Sequence, residues 1–168
     1  NETQFKYIKK LDSSRLKAFD LYESQNEDKI LLVTLANMEI NNNLDNNLDN
    51  DLDNNYYKSL FSNEIKIYNK LYPDFKACVL PNQDKIIIPY FEGLDFNTAW
   101  EQHPNLRLDL ITKTAEAINN MHNHNLVHGD IKYDNLIVKI SQDNNKIEDI
   151  FLFDFDNSAE INSPVNNG

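Results

Sequence analysis

Glycine is almost missing from this chain: three residues in 168, at Gly93, Gly129 and Gly168. None lies between Asn1 and Glu92. A loop that lays its backbone amides closely around a phosphate needs glycine, because a Cβ blocks the approach and other residues resist positive φ. The first half therefore carries no glycine-rich phosphate loop. Cysteine is reduced to Cys78. An internal disulfide is excluded, and the residue reads as a buried small hydrophobe in a reducing compartment. Positive charge is also scarce, with 16 Lys and Arg against 27 Asp and Glu, a net charge of −11. The isoelectric point near 4.7 excludes binding to nucleic acid or anionic membrane through a bulk basic field. It leaves room for a nucleotide held by a local cluster and a metal. No run reaches the roughly 18 apolar residues of a membrane span. No basic-then-apolar leader opens the sequence, which begins at Asn1 rather than Met and reads as a trimmed domain of the cytoplasm.

What is present is a chain with 40% hydrophobic residues, enough for a core. Residues 5–38 alternate in the manner of strands. "QFKYIKKL", "RLKAFDLYE" and "DKILLVTLANM" are separated by the turn signals "DSSR" and "SQNED", which predicts a three-stranded antiparallel meander. "NNNLDNNLDNDLDNN", residues 41–55, is an Asn/Asp-rich, exposed and flexible insertion. "YYKSLFSNEIKIYNKLY" has apolar residues at helical positions and Pro73 beyond its end, so a helix is predicted there. "FKACVLPNQDKIIIPYFEG" predicts two strands joined at "PNQD". The clearest helix is "LRLDLITKTAEAINNMHNHN". Its apolar set is Leu108, Leu110, Ile111, Ala115, Ile118 and Met121. "LIVKI" and "IEDIFLFDF" predict a hairpin through "SQDNNK".

Between that last helix and the hairpin stands "HGDIKYDN", His128 to Asn135, and the hairpin runs into "FDFD", Phe153 to Asp156. The first stretch resembles the catalytic-loop pattern H-x-D-[L/I]-K-x-x-N of protein kinases, and Asp154–Phe155 sits where that family carries D-F-G. Two motifs at the right separation make the resemblance specific, and the element order extends it over most of residues 5–160. It implies an α+β, two-lobed protein kinase-like fold. A small antiparallel N-lobe sheet with one helix, residues 1–91, would hold the Asn/Asp-rich insertion 41–55. A minimal helical C-lobe, 92–168, would be truncated relative to the peptide-binding region of a full protein kinase.

The resemblance also assigns roles. Asp130 would orient or accept the proton of an attacking hydroxyl, and Lys132 would reach the transferring phosphoryl group as a point charge. Asn135 and Asp154 would coordinate Mg2+ or Mn2+ through oxygen, with ATP as the cofactor. Glu64 in "SNEIKIY" takes the place of the helix Glu that pairs with a strand lysine. Pro89, Tyr90 and Phe91 would lie along the adenine-binding hinge, where Pro89 offers no N–H. Asp95 would meet the ribose, or simply be a loop residue. His128 reads as a hydrogen-bonded structural residue.

The departures matter as much. "LLVTLAN" aligns with V-A-I-K yet has no Lys, leaving Lys17 or Lys29 as alternatives. Gly129 stands where the family has Arg, which removes the usual receiver of an activating phosphate. Asp156 replaces the Gly of D-F-G. "HGD" with "DFD" is similar to aminoglycoside and choline phosphotransferases and other atypical kinases. Two readings stay open. One is an atypical kinase moving the ATP γ-phosphate to a hydroxyl on a protein or small molecule. The other is a pseudokinase, a nucleotide-binding interaction module without turnover. The Asn- and Ile-rich composition fits an AT-rich microbial genome and a bacterial effector kinase secreted into host cytosol.

Overall fold

The computed structural model describes residues 4–11, 17–35, 50–80 and 85–161. The chain divides into two compact units, Asn1–Tyr90 and Phe91–Gly168. The expected turn at "PNQD" and most of the Asn/Asp-rich insertion lie outside the described residues.

The first unit begins with the predicted meander. Strands β1 (Phe5–Lys10), β2 (Lys17–Ser24) and β3 (Lys29–Leu35) pair antiparallel in sequence. Helix α1 (Asn50–Leu71) follows, then β4 (Cys78–Val79) and β5 (Lys85–Pro89). The sheet order is β1-β2-β3-β5-β4, so β5 inserts beside β3 and leaves β4 at an edge. Alternation explains the faces. Leu21, Val33, Ile86 and Ile88 are buried on one face of the sheet and Ile30 on the other, and α1, which carries the buried Ile67, Tyr68 and Leu71, packs against β4 and β5. Two expectations are corrected here. Helix α1 starts at Asn50, inside the segment read as a flexible insertion. Cys78 is exposed, on a two-residue strand at the edge of the sheet.

The second unit is built on a three-stranded sheet, β6 (Leu94–Asp95), β8 (Leu136–Ile140) and β9 (Ile147–Leu152), in the order β6-β8-β9. The hairpin predicted for "LIVKI" and "IEDIFL" is β8–β9, with partners running from Leu136↔Leu152 to Ile140↔Ile147. Helices α2 (Phe96–Gln102) and α3 (Arg107–Asn123) cover it. A two-residue ladder joins β7 (Leu126–Val127) to β10 (Ala159–Glu160). Gly93 lies so close to β8 that a Cβ there would sit 2.5 Å from the Val138 carbonyl oxygen.

Helix α3 forms as predicted, but only part of its expected apolar set turns inward. Leu110 and Met121 are buried, whereas Leu108 is 75% and Ile111 is 55% exposed, and Ala115 is exposed. The inward face runs instead through Thr114, whose hydroxyl donates to the Leu110 carbonyl at 2.7 Å. That bond satisfies the polar atom and lets Thr114 occupy a position the apolar count had assigned elsewhere. The α+β composition, with a small antiparallel sheet and one helix followed by a short helical unit, is a minimal two-lobed kinase-like fold.

Candidate active site

The stretch between β7 and β8 lacks the hydrogen-bond ladder of its flanking strands, so side chains hold it. Asp130 is the hub. Lys132 Nζ donates to Asp130 Oδ2 at 2.8 Å. Asn135 Nδ2 donates to the Asp130 carbonyl at 2.9 Å and to Oδ2 at 3.3 Å. The Lys132 hydrogen bond is the main reason the Asp130 carboxyl is held below its ordinary range, with the Lys132 charge and the Asn135 amide contributing. The same bond holds the Lys132 ammonium above its ordinary range, and the charges of Asp154 and Asp134 add to that. Asp130 therefore stays a carboxylate and Lys132 a cation across the whole neutral range. Asp134 is exposed and is the middle residue of the 3-10 turn Tyr133–Asn135.

Asn135 is buried, and its donors point at Asp130. That orientation leaves the amide oxygen as the atom free to act as a ligand. The Asn135 carbonyl also accepts from the Phe153 N–H at 3.2 Å. The Phe153 carbonyl accepts from His128 Nε2 at 2.9 Å. His128 is buried and its ring lies 5.2 Å from that of Phe155. These contacts are the kind expected of a hydrogen-bonded structural residue. His128 ties the catalytic-loop stretch to the residue just before Asp154. Asp154 itself has φ +61°, a left-handed conformation that Asp tolerates better than most residues. Asp154 and Asn135 together supply hard oxygen atoms and no sulfur or nitrogen, the donor set that suits Mg2+ or Mn2+.

The first unit, taken by itself, holds a charged pair of its own. Lys17 Nζ and Glu64 Oε2 are 2.9 Å apart, with side chains 7% and 2% exposed. Lys17 also lies 5.9 Å from the centroid of the Phe61 ring. Of the two lysines the sequence left open, Lys17 is the partner of Glu64. Lys29 opens β3 across from Glu23.

Pro89, Tyr90 and Phe91, expected along an adenine-binding hinge, are placed differently from one another. Pro89 ends β5, buried, opposite Ile30. Tyr90 is half-buried, and Phe91 stacks on Phe151 at 4.4 Å with the rings 5° from parallel. Asp95 has a local task. It caps α2 by accepting from the Thr98 N–H at 2.9 Å, and the Thr98 hydroxyl bonds the same carboxylate. The Thr98 hydroxyl is the first reason that its carboxyl is held below the ordinary range.

Gly129 was read only as the loss of an arginine. The structure shows a positive reason for glycine: φ is +79°, and an added Cβ would meet the Asn157 carbonyl oxygen at 2.2 Å. No sequence signal pairs these two residues, which are distant in the chain. Among the described residues, no helix is long and apolar enough to cross a membrane.

Comparison with protein families finds one description: the lipopolysaccharide kinase (Kdo/WaaP) family, whose sequence model matches residues 69–166, more than half of the chain. Comparison with curated proteins finds no match.

Proposed function

The chain belongs to the lipopolysaccharide kinase (Kdo/WaaP) family, within the protein kinase-like superfamily, and on that footing we propose that it is an active kinase that moves the γ-phosphate of ATP to a hydroxyl. The observation that carries the reading is the hydrogen-bonded group of Asp130, Lys132 and Asn135, tied through Asn135 to the residue before Asp154. Phosphoryl transfer needs positioning and charge stabilisation more than covalent help. Asp130 takes the proton of the acceptor hydroxyl as its oxygen attacks the γ-phosphorus. The bond from that phosphorus to the β–γ bridging oxygen breaks, and ADP leaves. Lys132, cationic and exposed beside Asp130, meets the charge on the migrating group. Asn135 and Asp154 would hold a magnesium ion, which supplies charge neutralisation to the nucleotide phosphates. Lys17, braced by Glu64, serves the nucleotide phosphates in place of the missing V-A-I-K lysine. Pro89, Tyr90 and Phe91 supply the adenine site, with Asp95 beside the ribose.

The family description adds a sugar hydroxyl of lipopolysaccharide to the acceptors, beside the protein or small-molecule hydroxyl expected from sequence. The cytoplasmic placement and the effector role belong to the same proposal.

The competing reading, a nucleotide-binding module without turnover, draws on the absence of glycine between Asn1 and Glu92. Transfer from γ-labelled ATP with magnesium separates the two. The wild-type chain should release labelled phosphate to an acceptor or to water, and Asp130→Ala should lose that activity. A signal equal in both proteins sinks the kinase reading.

A further inference from the structure

The segment just after Asp154 is fastened to the catalytic loop by contacts that the reaction above leaves unused. Ser158 N–H donates to the Phe155 carbonyl at 3.1 Å, so Asp156 and Asn157 are the central residues of a tight turn. The carbonyl of Asn157 sits over Gly129, where a Cβ would be 2.2 Å away. Ser158 Oγ donates to the His128 carbonyl at 2.9 Å in a buried bond. Beyond it, β10 pairs with β7, and Ile161 N–H donates to the Asn125 carbonyl at 2.7 Å.

On the other side of Asp154, Phe153 is fixed at both backbone atoms, by Asn135 at 3.2 Å and His128 at 2.9 Å. Asp154 is thus the single residue between two anchored points: Phe153, and Phe155 with its ring fully buried against His128. Its φ of +61° is left-handed, a conformation that Asp tolerates better than most residues but that still costs energy, which the anchors on either side can offset.

We infer that Gly129 and Ser158 are positioning residues for Asp154: Gly129 by leaving room for the Asn157 carbonyl, Ser158 by pinning the end of the same turn. The inference rests on Asp154 being a metal ligand, as proposed above. A side chain at position 129 lifts Asn157, opens the turn and releases Asp154 toward negative φ. The carboxylate then leaves the place where it is held. Loss of the Ser158 hydroxyl leaves the buried His128 carbonyl without that donor and loosens the same turn.

The test compares Gly129→Ala, Ser158→Ala and Ser158→Thr with the wild-type chain in two measurements. The first is NMR: the Asp154 amide-to-Hα coupling, which reads φ, and hydrogen exchange at the Ser158 and Ile161 amides. The second is Mn2+ binding with ADP by electron paramagnetic resonance, beside metal-free ADP affinity. Gly129→Ala should take Asp154 out of positive φ. Both alanine variants should speed exchange at the two amides. Mn2+–ADP affinity should fall about tenfold or more, the usual effect of removing support behind a ligand. Metal-free ADP affinity should stay unchanged, and Ser158→Thr should restore binding. Wild-type exchange with Asp154 at positive φ in both alanine variants overturns the inference. So does an equal loss of metal-bound and metal-free ADP affinity. A wild-type chain that binds no Mn2+–ADP removes the proposed function instead, and the NMR readout alone then decides the positioning role. If Gly129→Ala does not fold, Ser158→Ala carries both readouts.

Discussion

Lys17 on β2 and Glu64 on α1 form an ion pair at 2.9 Å with both side chains withdrawn from water. Removing two charges from water is costly, and their attraction offsets that cost only when the geometry is good and further polar contacts help. The pair is therefore weak grounds for stability and better grounds for a task. It fastens helix α1 to a particular residue of the second strand. A cation held in place by a buried carboxylate is suited to bind phosphate without first paying to be ordered.

Lys17→Met should destabilise the chain by about 3 kcal/mol, since it leaves the Glu64 carboxylate buried without this cation. Lys17→Met combined with Glu64→Leu should recover most of that loss. Urea denaturation of the two single variants and the double variant provides the cycle. Additive losses would show that the pair is not coupled.

Asp130 should titrate below its ordinary value of 3.8 in the wild-type chain and move up toward it in Lys132→Met. The depressed pKa contributes stability at pH values above the unfolded-state pKa. That contribution is lost as pH falls through the folded-state value. In the variant that contribution should be smaller, so less stability is lost as pH falls. Carbon-13 titration of the Asp130 carboxyl reads both proteins, and coincident curves would remove Lys132 as the cause.

Lys132→Ala should lower single-turnover phosphoryl transfer on the order of a hundredfold while ATP affinity changes little. An interaction stronger in the transition state than in the ground state acts on the rate and spares binding. A loss confined to ATP affinity would place Lys132 in ground-state binding instead.

Magnesium with ATP should raise the melting temperature more than ATP with chelator, by mass action on the folded state. Asp154→Ala should abolish most of the metal-dependent increment. An equal increment in that variant would exclude Asp154 as a ligand.

Asp95→Ala should cost about 1 kcal/mol through loss of the α2 cap, and Asp95→Ser should restore most of it. Nucleotide affinity distinguishes the second role. A ribose contact predicts weaker ATP binding in Asp95→Ser at restored stability, whereas a cap alone predicts none.

The sequence by itself determined the local elements and the chemistry of the loop. The alternation in "KAFDLYES" and the apolar run in "KILLVTL", bounded by turn signals, are enough to predict strands. Asp130, Lys132 and Asn135 stand close enough in sequence for one loop to bring them together, while their hydrogen bonds to one another are seen only in the structure. Tertiary structure decided what depends on distant parts of the chain. Whether Lys17 or Lys29 meets Glu64 is a matter of strand register and helix rotation, which no spacing within either segment encodes. The inward face of α3 was misread because Thr114 satisfies its hydroxyl on the helix backbone, while Leu108 and Ile111 stay exposed. Cys78 is exposed because strand order placed β4 at an edge. Gly129 looked like a lost arginine until the Asn157 carbonyl was found where its side chain would be, a contact made only when the chain has folded back over its own loop.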